Sequence, residues 1–347
     1  MFDLEAFKSH ESVHLFFDEE TGLRAAIAVH STALGPAAGG CRMWDYIDSA
    51  AMVRDALRLS EGMSYKNAMA GLPLGGGKAV IWGNSRTGKS PEIFKALGRA
   101  IDSLGGKYWS AEDVGVSTSD MTYAREETRY VAGLDEGEAA SGDPSPMTGL
   151  GVFKGIEATA KRALGVDSLK GVRVAVQGVG QVGGHACRHM AKAGAKLYVT
   201  DIHQDVLEQI SKETGAEIVA PDDIYDVEAD VFSPNALGGV INENTLSRLK
   251  VKAIAGGANN QLVDEATGEK VREAGILYAP DFVINGGGII NVASEISGKY
   301  DRNWVVSKIE TLIETLDEIL RRSLQEDRAS SEIALEMAKM RILAAKA

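Results

Sequence analysis

The 347-residue chain is long enough for two domains, each able to bury its own core, and 44% of its residues are hydrophobic. With 49 acidic against 37 basic side chains the net charge is -12, which repels nucleic-acid backbones and anionic membranes, so neither is expected as a partner. Cys41 and Cys187 stand in no CxxC spacing, which argues against a disulfide framework or structural zinc and fits a reducing compartment. The N-terminus carries early acids and no apolar h-region, and no uninterrupted apolar stretch could cross a bilayer, so a cytoplasmic location is expected.

In chain order, alternation predicts strands over Val13 to Phe17 and Leu23 to Val29, a helix near Ala50 to Met69, and a strand from Ala79 to Trp82. A helix from Pro91 to about Leu104, a strand around Lys107 to Ser110 and a helix near Ser117 to Thr128 follow. The Gly-, Ser- and Pro-rich run from Glu136 to Gly149 marks a domain junction. Beyond it comes a strict alternation: helix Thr148 to Leu164, strand Val172 to Val176, helix Gln181 to Ala193, strand Lys196 to Thr200, helix Asp205 to Thr214. Further strands are expected at Glu217 to Val219, Asp230 to Ser233, Ala253 to Ala255 and Ile276 to Tyr278. Repeated β-α-β units imply a parallel, doubly wound sheet. After Gly286 the chain reads as nearly all helical, with Ile309, Leu312, Ile313, Leu316 and Ile319 spaced for one core-facing or subunit-facing stripe.

The stretch GNSRTGKS, Gly83 to Ser90, satisfies the GxxxxGK[ST] pattern of phosphate-binding loops. Pro91 argues against that role: it has no N–H and drives Ser90 out of the helical region. Ser90 then reads as an N-cap, with Pro91 and Glu92 in the first turn and Lys89 outside the helix. A P-loop NTPase is therefore disfavoured, and a charged turn is expected.

VRVAVQGVGQVGGHACRHMAKAGAKLYVTD, Val172 to Asp201, gives strand, GxGxxG, helix, strand and terminal acid in the order a dinucleotide site requires. Gly178 permits the tight turn, Gly180 the approach of a pyrophosphate, and Gly183 the packing of helix on strand. Asp201 should accept from the adenosine ribose hydroxyls and repel a 2′-phosphate, which favours NAD over NADP. His185 and His189 lie at i, i+4, but no acid stands between them as HExxH requires, so no metal is expected. In GMSYKNAMAGLPLGGGKAVIW, Lys66 ends a helix and Lys78 enters a strand after three glycines, which would let a ligand approach the backbone closely. Burial or a second lysine nearby would turn such an ammonium toward a general-base role.

GPAAGGCRMW (Gly35 to Trp44), GMSYKNAMAGLPLGGGK, SAEDVG (Ser110 to Gly115), GDPSPMTGLGV, the GVGQVG loop, GGANNQL (Gly256 to Leu262) and YAPDFVINGGGIINVA (Tyr278 to Ala293) resemble successive signatures of the Glu/Leu/Phe/Val amino acid dehydrogenases. They follow in family order across almost the whole chain, closest to the leucine and phenylalanine enzymes. The resemblance implies an α/β fold: an N-terminal mixed α/β catalytic domain (1–140 with 325–347), a Rossmann doubly wound NAD domain (141–324), a cleft between them, and assembly as a homo-oligomer. It implies oxidative deamination of an L-amino acid to its 2-oxo acid and ammonia. Lys66 would hold the substrate carboxylate with the backbone at Gly39 and Gly40, Lys78 would activate water, and Asp113 would exchange a proton with the substrate amine. Cofactor contacts would come from Thr148, from Gln181 and Val182 inside the glycine loop, from Ile202 beside Asp201, and from Asn235, Ala236, Asn259 and Asn260, with Asn259 also near the substrate. Relatives commonly carry cysteine where this chain has Asn235.

Glutamate-specific relatives place a lysine where this chain has Ala38, and a side-chain carboxylate buried there would lack a partner. The matching pocket positions Ala38, Met63, Ala111, Ile289 and Val292 are all apolar. A branched-chain or other aliphatic substrate is expected, leucine first. Phenylalanine is the alternative, because a small residue at Ala38 leaves room. A non-catalytic NAD sensor is the remaining reading from another class.

Overall fold

The computed structural model describes residues 2–134, 136–137 and 140–346. The chain divides into two compact units, one of Met1–Pro144, Ile289–Val305 and Ala338–Ala347, the other of Ser145–Gly288 and Val306–Met337.

The first unit is built on β1 (Ser12–Asp18), β2 (Leu23–Ser31), β3 (Ala37–Trp44), β4 (Gly75–Trp82) and β5 (Tyr108–Glu112), hydrogen-bonded in the order β1-β2-β4-β3-β5. β1 and β2 form an antiparallel hairpin, β2 pairs antiparallel with β4, and β4, β3 and β5 run parallel. Helices α1 (Ser49–Met69), α2 (Pro91–Asp102) and α3 (Thr118–Arg125) supply the cover. Ala25, Ile27 and Val29 join Phe94, Leu97, Ile101 and Met121 of α2 and α3 in one core, while Ala26, Ala28 and Val80 join Val53 and Leu57 of α1 in another. Covering both faces makes β2 a continuous apolar run, which is why it is easy to read from sequence.

Two strands depart from expectation. β3 is not among the expected strands because AAGGC lacks β-branched and aromatic residues. β4 begins at Gly75 instead of Ala79, so Lys78 lies inside the strand. The glycines that obscure both strands are demanded by close packing: a Cβ on Gly76 would stand 2.1 Å from the Ser64 backbone nitrogen, and one on Gly39 would stand 2.0 Å from the Gly77 carbonyl oxygen. Gly75, Gly76 and Gly77 therefore serve helix and strand packing, where the sequence suggested room for a ligand.

The Gly83 to Ser90 stretch is the turn expected. Asn84 Oδ1 accepts from Arg86 N at 2.9 Å, Ser90 caps α2 by accepting from Ile93 N, and Pro91 occupies the first turn. Lys89 is ion-paired with Asp120, the residue that completes the capping box of α3.

The second unit alternates α4 (Ser145–Leu164), β6 (Arg173–Gln177), α5 (Gln181–Lys192), β7 (Lys196–Thr200), α6 (Gln204–Thr214), β8 (Glu217–Ile218), β9 (Val231–Pro234), α7 (Glu243–Arg248), β10 (Ala253–Ile254), α8 (Thr267–Glu273), β11 (Leu277–Tyr278) and α9 (Asp281–Ile284). Its six strands are all parallel in the order β11-β10-β9-β6-β7-β8, the doubly wound order in which strands are added outward on both sides of the first. Ala175, Phe232, Ile254 and Tyr278 on four of these strands form its core with Ile224, Ile241 and Val271. The chain then runs through α10 (Gly287–Ile296), α11 (Arg302–Glu326) and α12 (Ser330–Ala344). Ile309, Leu312, Leu316 and Ile319 of α11 are fully buried, so the stripe faces the core, with Ile313 partly exposed at its margin. Among the described residues no helix is long and apolar enough to cross a membrane.

Candidate active site

Side chains alternate along a strand, so on β3 and β4 the residues offset from the Cys41, Met43, Ala79 and Ile81 core point to the α1 face. Arg42 and Lys78 are such residues, and Asp113 follows the last residue of β5. The three meet on one carboxylate oxygen: Lys78 Nζ lies 2.8 Å from Asp113 Oδ2, and Arg42 Nε donates to the same atom at 3.2 Å. Arg42 also donates through Nη1 to Asp55 Oδ2 at 3.1 Å, and the Tyr46 hydroxyl donates to that oxygen at 2.6 Å. Lys78 is only 5% exposed. Burial pushes the Asp113 carboxyl up, but Lys78 and Arg42 outweigh it and hold the group down at about 2. A cation so poorly hydrated needs a fixed counterion, and Asp113 is that counterion.

Met63 and Lys66 lie in the last two turns of α1, over the glycine strands. A Cβ on Gly39 would come 2.0 Å from the Gly77 carbonyl oxygen and 3.0 Å from Met63 Cγ, and one on Gly40 would come 2.5 Å from the Glu112 carbonyl oxygen and 2.8 Å from Asp113 Cβ, so main chain forces both glycines and site residues crowd them further. Asn67, next to Lys66, donates to the Gly75 carbonyl at 2.5 Å and fixes the end of α1 on β4. Arg341 of α12 donates to the Ala68 and Met69 carbonyls, each at 3.0 Å, and closes the same helix end.

Of the five expected pocket residues, Ala111, Ile289 and Val292 share one apolar cluster with Ala132 and Ile296. Ala38 is buried in β3 and Met63 packs at Gly39, both outside that cluster. Glu295, one residue before Ile296, is itself buried and pins the segment beside Ala132. Its Oε2 accepts from Gly133 N at 2.9 Å and Ser141 Oγ at 2.7 Å, and its Oε1 from Leu134 N at 3.3 Å. Arg42, Asp55, Tyr46, Ala132, Ile296 and Glu295 are absent from the sequence-predicted set. For Arg42 a signal existed, because period-two alternation from Gly40 puts it on the side of Lys78.

In the second unit the chain leaves β6 through Gly178, whose φ of +90° only glycine adopts readily and whose Cβ would stand 2.8 Å from Ala236 Cβ. A Cβ on Gly183 would stand 2.1 Å from the Gly178 carbonyl oxygen. Gly180 is the N-cap of α5 with no side-chain cap, and a Cβ there would meet nothing within 4 Å. The first turn of α5 therefore has no side-chain cap and no crowding at its N-cap, the arrangement that accepts a pyrophosphate. Asp201, directly after β7, accepts from Val179 N at 2.8 Å and from His203 N at 2.9 Å, which fixes its carboxylate beside the loop. Ile202 is 85% exposed next to it.

Asn235 ends β9. Its Nδ2 donates to the Ser233 carbonyl at 2.9 Å and its Oδ1 accepts from Gly257 N at 2.7 Å, so its side chain braces two strand-end loops. Asn259 Oδ1 accepts from Asn285 Nδ2 at 2.7 Å, and Asn260 holds a φ of +52°. Thr148 lies in the first turn of α4, where a Cβ on neighbouring Gly149 would come 2.5 Å from His185 Cβ of α5. His189 stacks on Phe153 with ring centroids 5.3 Å apart, and Cys187 is buried. The expected cofactor residues therefore gather where the strand order reverses, and their chemistry fits a dinucleotide.

Residues 9–130 match the family profile "Glu/Leu/Phe/Val dehydrogenase, dimerisation domain", and residues 141–203 and 197–345 match "Glutamate/Leucine/Phenylalanine/Valine dehydrogenase". The chain belongs to the Glu/Leu/Phe/Val dehydrogenases. It is accordingly an oxidoreductase of amino acid dehydrogenase type, in a family that works with a nicotinamide dinucleotide. A leucine dehydrogenase of Thermoactinomyces intermedius is 48% identical over 99% of this chain and 93% of its own. A phenylalanine dehydrogenase of Bacillus thermotolerans is 43% identical over 98% of this chain and 90% of its own. The crystal structure of L-tryptophan dehydrogenase from Nostoc punctiforme matches with a TM-score of 0.85 at 38% identity, covering 98% of this chain and 97% of that one.

Proposed function

We propose that this dehydrogenase oxidatively and reversibly deaminates a branched-chain aliphatic L-amino acid, leucine preferred, to its 2-oxo acid and ammonia, using NAD. The observation that carries the substrate is the apolar cluster of Ala111, Ala132, Ile289, Val292 and Ile296, none of whose side chains could pair with a charged one. The leucine dehydrogenase relatives point the same way. Ala38 in place of a larger residue makes phenylalanine the second substrate to test.

In this reading Lys66 and the main chain at Gly39 and Gly40 hold the substrate carboxylate. Asp113 takes a proton from the substrate ammonium, freeing the nitrogen lone pair. Gly178 to Gly183 would cradle NAD with Asp201 toward its ribose, and the bound nicotinamide would supply the acceptor for the hydride lost from the substrate Cα. Lys78 takes a proton from water as the oxygen adds to the Cα of the iminium left by hydride loss. Asp113 returns its proton to the carbinolamine nitrogen, and the C–N bond breaks as the hydroxyl proton passes to the freed Asp113 carboxylate, giving the 2-oxo acid and ammonia. The first unit is thus the catalytic part and the second the NAD part. The dimerisation-domain match favours a homo-oligomer.

NADH formation at alkaline pH across a panel of L-amino acids, with NAD and NADP in parallel, tests this. Leucine and its branched neighbours should give the highest kcat/KM, with NAD preferred. Turnover highest with glutamate, or none with any amino acid, would overturn it. Asp201→Ala should erode the preference for NAD without abolishing turnover.

A further inference from the structure

We propose that Arg42 is a positioning residue of the reaction: its guanidinium, held by Asp55 and Tyr46, keeps the Asp113 carboxylate aimed and charged so that Lys78 can give up and regain a proton beside it. The inference rests on the roles proposed above for Lys78 and Asp113.

Lys78 and Asp113 alone would form a tight two-body pair 2.8 Å apart, in which each stabilises the charge of the other and resists proton movement. A base that works on water needs the opposite, a proton that leaves readily. Arg42 changes this because its guanidinium stays protonated at every working pH and binds the same Asp113 oxygen. Its fixed positive charge repels the shared proton, and when that proton leaves Lys78 the carboxylate still has a partner. The loss of that proton is a property of the cluster and not of either residue alone.

The planar fork also orients. Nε reaches Asp113 while Nη1 reaches Asp55, so one side chain links the end of β5 to the face of α1. Asp55 in turn accepts the Tyr46 hydroxyl. Other charged or titratable groups near the cluster include Glu112, which precedes Asp113, Cys41, Tyr108 and the Lys89 and Asp120 pair; both buried side chains, Cys41 and Tyr108, are neutral, the Cys41 thiol being pushed up to about 12 by burial.

The test is the pH profile of kcat/KM for NAD-dependent leucine oxidation in Arg42→Gln, Arg42→Lys and Asp55→Asn, with folding followed by circular dichroism and the second unit by NADH fluorescence titration. In Arg42→Gln the rise of kcat/KM with pH should move about one unit higher. Asp55→Asn should move it the same way by less, and Arg42→Lys should restore part of the shift because it keeps the charge but not the fork. A merely structural arginine would depress kcat equally at every pH, and an unmoved profile in folded Arg42→Gln overturns the proposal. If Arg42→Gln does not fold, Asp55→Asn decides alone, an unmoved profile again being the overturning result. Lys78→Ala separates the two levels: retained turnover there would remove the reading beneath, whereas a dead Lys78→Ala with unmoved Arg42 and Asp55 variants would remove only this inference.

Discussion

Asp113 Oδ2 receives two cations at once, from β4 and β3, and that one atom ties the chemistry of the first unit together. Its consequence for mutants is sharp. Lys78→Ala should cut turnover by at least about 100-fold, the usual scale of a lost general base, while leaving NADH binding intact. Lys89→Ala, although it destroys the GxxxxGK[ST] pattern, should leave kcat and KM unchanged, because Lys89 pairs with Asp120 of the α3 capping box and lies over the Phe94 ring. Parallel steady-state assays check both, and a turnover collapse at Lys89 would contradict the site as drawn. Lys78 and Asp113 were legible because each sits in a family signature. Arg42 sits in one too, yet its partners Asp113 and Asp55 lie 71 and 13 positions away, a pairing that only the sheet creates.

At the scale of elements, the strands hardest to read were those nearest the chemistry. β3 and the start of β4 are poor in strand-forming side chains because α1, β5 and their own loops press against them. Pattern reading depends on side chains, and where packing excludes side chains it has no signal; the continuous apolar β2 and the long α4 and α11 carry ample signal. Two glycine substitutions separate the cases. Gly76→Ala drives a methyl group against the Ser64 backbone and should cost about 1–3 kcal/mol or more. Gly62→Ala, in the interior of α1 with nothing within 4 Å of its Cβ, should gain about 0.5–1 kcal/mol. Chemical denaturation of both variants measures the difference, and a neutral Gly76→Ala would contradict the packing account of the glycine run.

For the whole molecule, the acid limit of stability is set in part by a buried histidine pair. His10 and His30 are T-shaped with ring centroids 4.8 Å apart, and His30 Nδ1 shares a hydrogen bond with Ser64 Oγ at 2.8 Å. Burial, then the neighbouring His10 and Lys346 against the opposing pull of Glu61 and Glu11, lowers His30 to about 4. A histidine whose folded pKa is depressed favours folding while it is neutral. Its contribution is full above the ordinary value near 6.5 and is lost as pH falls toward about 4, a loss of about 3 kcal/mol. Denaturation midpoints should therefore fall between pH 7 and pH 5, and the slope should shrink in His30→Gln. Equal slopes in the two proteins would remove His30 from the account.

The proposed apolar wall and the cluster of Lys78, Asp113 and Arg42 ride on different kinds of backbone. Lys78 and Arg42 sit among glycine strands where an added methyl group collides with main chain, whereas Ile289 and Val292 project from a helix into a cluster of small and branched side chains. Change on that helix alters volume without breaking a strand, and apolar walls tolerate such exchanges at modest cost. With the roles proposed above, diversification within this scaffold is asymmetric: new side-chain preferences are reachable by single steps along α10, while the deamination chemistry is held by the crowding of the sheet that would bear it.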